Sequence, residues 1–473
     1  MRVSERDLVG TTTPAVGIAE VLGRRLPAGR VVTDPDIVAG LSHDQAIWAP
    51  VGRAVAVVRA KSTAEVRTVV RACLEQGVPL VARGAGTGLS GGANAVEGCV
   101  ILALDGMDRV LEVDELERLA VVQPGVVNDD LRAHVATLGL WYPPDPASSP
   151  WSTLGGNVAT NAGGVCCLKY GVTRDYVLGL EVVTGTGEVV RLGRRTSKGV
   201  AGYDLVGLMV GAEGTLGVVT EITVRLRRLP PVGVTAVGYF DSIGQAGAAV
   251  RATAAAGLRP AALELVDRHC LRAVDAWKNM GLSAEADVVL LARFDDDGHA
   301  AEDGARQIVD CFRGAGSTWA DRSETDEEAE MLFAARRLAF PALERLGPVL
   351  TEDVCVPIGA VAEMLTRIDR TAEKHRITIA NIAHVGDGNL HPLLVTEHGD
   401  TAARIRARAA FDDIIADALE LGGTVTGEHG VGLLKQHGFT RELGPTVLEM
   451  HRAVKRALDP AGILNPGKIF GPA

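Results

Sequence analysis

The sequence predicts an α+β chain of two or three domains, and three observations carry that reading. At 473 residues it exceeds what one compact core accommodates. Its first half reads as short β-rich runs separated by long polar loops, whereas after Pro230-Pro231 strands and helices alternate. Its composition, 47% hydrophobic with 56 glycines and 4% aromatic residues, is that of a packed, turn-rich protein and excludes a disordered or fibrous chain.

Taken in order, residues 1–49 read as an amphipathic helical lead-in, with apolar positions at Val16, Ala19 and Leu22. A strand follows at 55–58, and Ser62-Thr-Ala-Glu65 reads as a capping box opening a helix to about Gln76. Further strands are expected at 79–82, 99–104, 119–123, 177–183, 189–191 and 217–226. Between them lie long glycine-, serine- and asparagine-rich loops at 84–98 and 143–171, and loops of that length in an ordered domain usually serve function. The second half gives strands at 232–240, 262–266 and 288–294 and helices at 242–256 and 299–314. A helix start follows at Asp326. That alternation predicts a sheet covered by helices on one face. A long helix over 402–421 and a terminal helix over 444–458 precede an apolar tail, 463–470.

Lys plus Arg number 48 against 59 Asp plus Glu, a formal charge of −11 without a basic cluster, so neither nucleic acid nor an anionic membrane is an expected partner. The opening MRVSERDLVG has no apolar centre and does not read as a secretory signal, and no apolar run is long enough to span a bilayer. Seven cysteines, an odd number without C-x-x-C, read as free thiols in a reducing compartment and give no iron–sulfur ligand set. A cytoplasmic location is expected, with a peripheral place at the inner membrane face left open.

Two stretches near the C-terminus carry the chemistry. In His384-Val-Gly-Asp-Gly-Asn-Leu-His391, Asp387-Gly388 is a two-residue hairpin signal between strand-like flanks. Centring a hairpin there pairs His384 with His391, their Cβ atoms about 5 Å apart, close enough to share a divalent ion. In Gly427-Glu-His-Gly430, neighbouring side chains point in different directions. The economical assignment makes Glu428 the third ligand and leaves His429 free as acid or base. Two His and one carboxylate suit Zn, Mn or Fe.

Arg83-Gly-Ala-Gly-Thr-Gly-Leu-Ser-Gly-Gly92 contains a literal G-x-G-x-x-G at Gly86, Gly88 and Gly91, with Asp105 downstream. A dinucleotide-binding βαβ unit is nevertheless excluded, because only 93–98 separate Gly92 from the next strand and no helix fits there. Such a loop can still cradle a phosphate on its backbone amides or serve as a plain hairpin loop. The polar stretch Ser148 to Gly164 adds hydroxyls, amides and open backbone suited to an extended polar cofactor, and Gln123-Pro124-Gly125 supplies another turn.

Together these stretches resemble the FAD-linked oxidases of the vanillyl-alcohol oxidase and p-cresol methylhydroxylase type, from about Pro50 to Lys468. The matching strings are RGAGTGLSGG (83–92), QPG (123–125), TLGGNVATNAGG (153–164), KYGVTRD (169–175), VGAEGTLGVVTEITV (210–224), HVGDGNLH (384–391), GEHGVG (427–432) and LDPAGILNPGK (458–468). The last three resemble the 2-hydroxy-acid branch, which includes D-lactate and D-2-hydroxyglutarate dehydrogenases and the FAD subunit of glycolate oxidase. The resemblance implies a two-subdomain FAD-binding domain over 50–229 and an α/β cap domain with an antiparallel sheet over 230–425. A C-terminal segment, 426–473, would return to complete the site. FAD would lie with its pyrophosphate on Gly84, Ala85, Gly86, Thr87, Gly88 and Leu89, beside Arg83, Pro124 and Gly125. Its ring would lie near Ser148, Thr153, Gly155, Gly156, Asn157, Thr160, Asn161 and Gly163. Glu213, Gly217 and Val218 would line the cofactor, and Asn465 would reach it from the tail. With no His or Cys in 83–92, dissociable FAD is expected; Cys166 is the nearby thiol.

The same resemblance places Arg336 where this branch clamps a substrate carboxylate, with a surface salt bridge as the plain alternative. Where 2-hydroxyglutarate enzymes carry Thr, Lys and Asn, this chain aligns Phe340, Thr351 and Leu393, so a small D-2-hydroxy monocarboxylate is favoured over a dicarboxylate. The implied chemistry is oxidation to the 2-oxo acid with His429 as base. Electrons would pass to a quinone, a cytochrome, an electron-transfer flavoprotein or oxygen, and a homodimer is left open. A metal-dependent hydrolase and a silent flavin-binding subunit are the competing classes.

Overall fold

The computed structural model describes residues 17–196, 198–281 and 285–471, so Val16 and the opening segment of the expected lead-in lie outside the described residues. From Gly17 the lead-in is two short helices, Ile18–Arg25 and Pro35–Leu41, with the strand Val31–Val32 between them. Asp34 caps the second by accepting from the amides of Asp36 and Ile37, which explains why one continuous helix does not form.

The first half builds two principal sheets. One has the strand order Val31–Val32, Ala56–Arg59, Val100–Ala103, Leu80–Arg83, and its last three strands run parallel. The 84–98 loop is therefore a crossover between parallel neighbours rather than a hairpin. No helix interrupts it, as its length requires. The helix Thr63–Gln76 ends at Gly77, whose φ of +63° makes the left-handed cap. Ser62 accepts from the Glu65 amide, but the Glu65 carboxylate turns back to the amide of Lys61 rather than that of Ser62. The second sheet is antiparallel, in the order Val110–Asp114, Leu119–Val122, Gly217–Arg225, Val177–Thr184, Val189–Gly193. Val66, Val69, Val70 and Cys73 of the Thr63–Gln76 helix share a core with Leu80, Leu102, Val183 and Val218 of the two sheets. The tail closes onto this half: Leu464 bridges Leu80, the edge of the parallel sheet.

The second half is an eight-stranded antiparallel sheet. Its helices lie on both faces, not one. Helices Ile243–Ala255, His299–Gly314, Val361–His375 and Thr401–Glu420 pack on one side, and Arg268–Lys278 with Asp326–Glu344 on the other. The strands here are buried on both faces and read as continuous apolar runs, so alternation could not reveal the second layer. The terminal helix starts at Gln436 and kinks at Gly444 (φ +70°), ahead of Pro445. Among the described residues, no helix is long and apolar enough to cross a membrane.

Two local expectations are corrected. The stretch 143–171 is not all loop, for Leu154–Thr160 is a helix capped by the Thr153 hydroxyl and Cys167–Tyr170 a further turn. Its glycines masked the apolar pair Leu154 and Val158, four apart on one buried face. The 384–391 hairpin has four turn residues, 385–388, with Gly388 alone at positive φ (+89°). His384 pairs with Asn389, and His391 with Ile382. The register is shifted by two residues, and since strand faces repeat every two, both histidines stay on one face as diagonal neighbours.

A Cβ at Gly388 would collide with the Val356 carbonyl as well as strain the backbone. Gly388→Ala is expected to lower stability by about 1–3 kcal/mol in chemical denaturation. An unchanged midpoint would show that the turn relaxes freely.

Candidate active site

The cluster around Glu428 forms where the face of the eight-stranded sheet under Asp326–Glu344 meets the 421–435 loop. The Oε1 atom of Glu428 lies 3.6 Å from His384 Nε2 and 3.3 Å from His391 Nε2. The two rings are perpendicular, with centroids 5.1 Å apart. Their ligand atoms lie within 4.8 Å of one another. His384 is turned to the cluster by its other nitrogen, Nδ1, which lies 2.6 Å from the buried carboxylate of Glu264. Arg336 Nε donates to the second oxygen of Glu264 at 2.9 Å. A chain Arg336–Glu264–His384 results. Burial alone would lower the His384 pKa, but Glu264 and Glu428 raise it well above the usual imidazole range. Burial opposes ionisation of Glu428, yet the two histidines hold its carboxyl far below the ordinary value. Such a donor set suits a divalent ion.

His429 does not point away from this cluster. It stacks on His391, with centroids 5.0 Å apart and planes 15° from parallel, and its Nε2 is 4.0 Å from Glu428 Oε1. Burial lowers its pKa to about 4 against the opposing Asp353 carboxylate, so the ring is neutral near neutral pH. Asp353, Glu264 and the buried Lys435 escaped the sequence reading. The available signal was charge within apolar strand patterns: Glu264 in Ala262–Asp267, and Glu352-Asp353 between two short strands.

The glycine loop abuts this cluster through the polar stretch that follows it. Gly84 packs on the Thr153 hydroxyl, and Gly163 lies so close to Glu428 that a Cβ there would overlap its carboxylate. Gly155 N–H donates to the Pro124 carbonyl at 2.8 Å, and Gly125 N–H donates to that of Met107 at 2.7 Å. The Ser148 carbonyl accepts from Trp151 and Ser152. Asn161 is left-handed, its side chain accepting from Arg174 N–H, and the Thr160 hydroxyl donates to Gly156. Among the described residues, the backbone amides of Ala85, Gly86, Thr87, Gly88 and Leu89 have no hydrogen-bond acceptor in the protein, and the loop is only half buried. Asn157 Nδ2 and Asn465 Oδ1 are buried without partners. Unpaired buried polar groups are costly unless a ligand completes them. The loop thus suits a phosphate, and the buried amides an extended polar cofactor.

Other residues expected at the cofactor also make contacts within the fold. Arg83 Nη1 donates to the His43 carbonyl and its guanidinium underlies Gly86. Gly217 and Val218 begin a central strand, with Val218 in the core. The Glu213 carboxylate accepts from the amides of Val431 and Gly432 at 2.7 and 2.8 Å. Asn465 Nδ2 donates to the carbonyls of Gly92 and Glu213.

Fold and site together define a flavin-dependent oxidoreductase. The chain belongs to the FAD-linked oxidases: residues 229–469 match the C-terminal domain of that family and residues 54–193 its FAD-binding domain. Among its relatives is the glycolate oxidase subunit GlcD of Bacillus subtilis, 42% identical, with 88% of each chain covered. A D-lactate dehydrogenase of Anaerostipes hadrus is 35% identical over 93% of this chain and 94% of its own. The fold matches p-cresol methylhydroxylase with a TM-score of 0.82 at 19% identity, covering 96% of both chains. A 4-ethylphenol oxidase from Gulosibacter chungangensis gives 0.80 at 21% identity, covering 96% of this chain and 97% of that one.

Gly84→Ala should push the glycine loop off Thr153. It is expected to lower the flavin content of purified protein, read from visible absorbance, without loss of secondary structure. Full flavin content would show that the contact does not set the loop.

Proposed function

We propose that this enzyme oxidises a small D-2-hydroxy acid of the D-lactate or glycolate kind to the 2-oxo acid, using dissociable FAD and a divalent ion. The observation that carries the reading is the convergence of His384 Nε2, His391 Nε2 and Glu428 Oε1 beside Gly163, where the flavin-side stretch ends. The relatives named glycolate oxidase subunit and D-lactate dehydrogenase support the substrate class. Bound FAD supplies two-electron acceptance of the α-hydrogen, and the ion supplies Lewis acidity.

The chain's own residues do the rest. His384, His391 and Glu428 would hold Zn, Mn or Fe, the Glu264 carboxylate fixing the tautomer of His384. His429 takes the hydroxyl proton on Nε2. Arg336, on the helix over the site, would hold the substrate carboxylate through the guanidinium atoms not given to Glu264. Cys166 is an unsuitable flavin anchor, since burial and the Asp145 carboxylate push its thiol well above the usual range.

Phe340 and Leu393 share one apolar cluster, and Thr351 is the cross-strand partner of Leu393. Leu393 follows His391 by two residues on the same strand face. This wall offers no cation to a second carboxylate, and burying one unpaired costs several kcal/mol.

His384→Ala and Glu428→Gln are each expected to lose bound metal and most turnover while keeping flavin absorbance. Full metal occupancy in His384→Ala would sink the ligand assignment. His429→Ala is expected to keep metal and flavin but slow anaerobic flavin reduction by roughly 10²–10⁴-fold, the usual contribution of a positioned base. In the same apparatus, D-lactate or glycolate should reduce the wild type faster than D-2-hydroxyglutarate; the reverse order would overturn the pocket assignment.

A further inference from the structure

Asp353 lies directly behind both His391 and His429. It is fully buried, and its position is fixed from several sides. Its Oδ2 accepts from the Thr426 hydroxyl at 2.7 Å, the Glu428 amide at 3.0 Å and the His429 amide at 2.9 Å. Lys435, also buried, stands 3.6 Å from Oδ2 and donates to the Asp353 and Val425 carbonyls, so the carboxylate has a compensating cation and a braced backbone. Two imidazoles face it. His391 Nδ1 is 3.8 Å from Oδ1, and His429 Nδ1 is 4.0 Å from Oδ2. Both Nδ1 atoms are buried and make no hydrogen bond among the described residues, their distances to Asp353 being longer than one.

An imidazole that meets a carboxylate at Nδ1 carries its proton there and offers a lone pair at Nε2. Glu264 meets Nδ1 of His384 in this way, at 2.6 Å. We propose that Asp353 does it for two histidines at once, as a shared positioning residue that turns Nε2 of His391 and Nε2 of His429 toward the space beside Glu428. The proposal rests on the functional reading above and deepens it: ion and base would be oriented by one anion. When His429 takes the substrate hydroxyl proton on Nε2, both ring nitrogens carry protons, and Asp353 is the anion facing the cation. The proton then passes to solvent after product leaves. The geometry also allows a rival role, in which Asp353 itself joins His391 and His429 around a metal.

Asp353→Asn keeps an oxygen for the backbone amides and removes the charge. In the FAD-loaded protein it is expected to retain metal at the wild-type ratio and to keep KM within about threefold. kcat should fall by roughly 10–100-fold, the usual cost of losing a carboxylate behind a histidine. Asp353→Glu should recover part of kcat. Turnover of Asp353→Asn within twofold of wild type would overturn the proposal, as would loss of metal in proportion to activity, which would make Asp353 a ligand. His384→Ala and His429→Ala run in parallel separate this outcome from failure of the underlying reading. If neither affects metal or rate, the site is elsewhere and Asp353 has nothing to position.

Discussion

The structure depends on one carboxylate that joins its two halves. Glu213 sits in the flavin-side half at φ +48°, a conformation unfavourable for a residue with a side chain, and is buried. Burial pushes its carboxyl up to about 7, against the pull of two amides and Lys468. These costs are offset by what it grips: the amides of Val431 and Gly432, just beyond Glu428 and His429. Ser90 repeats the tie, donating to the Gly430 carbonyl and accepting from Leu433 N–H. These bonds tie the 427–432 loop to Glu213 and to the stretch 84–92.

The other anchor of that loop is electrostatic. Glu264, Asp353 and Glu428 lie within a few ångströms of three imidazoles, under an apolar sheet and helix layer. An unpaired buried carboxylate would be costly, and each one here meets a histidine, an arginine or backbone amides. Asp353 is held well below the ordinary carboxylate value despite complete burial, with the Lys435 cation and the His429 amide among the groups that pull it down. Few other configurations would satisfy these charges. Rigidity at this position is what a site needs if reacting groups are to stay in line.

The legible part of the chain was what local pattern dictates. Ser62 and Gly77 bracket a helix whose bounds read directly, and His299–Gly314 and Val288–Phe294 match their sequence ranges. The His384, His391 and Glu428 cluster was legible because two histidines bracket a hairpin turn and a third donor lies between glycines. The hairpin register was not, since Asp387-Gly388 mimics a two-residue turn while the real turn spans 385–388, with Val356 packed against Gly388. Glu264 and Asp353 were invisible as partners because their importance lies in contacts 120 and about 40–75 residues away. Arg336 was read as a clamp or a surface pair, and its bond to Glu264 belongs to neither.

The tail gives the flavin-side loop its final shape from the far end of the chain. Lys468 donates to the carbonyls of Gly91 and Asn94, and Asn465 to that of Gly92, across separations of up to 377 residues. Leu464 at the same time extends the edge of the parallel sheet at Leu80. A ribosome makes the loop well before its clasp, 377 residues separating Gly91 from Lys468. The nascent chain therefore carries an unclosed glycine loop and an open sheet edge for roughly 20 seconds or more at ordinary elongation rates. Closure of so distant a contact is a late event in folding, because loop entropy must be spent first. The cofactor cradle is completed only long after its own residues have been synthesised.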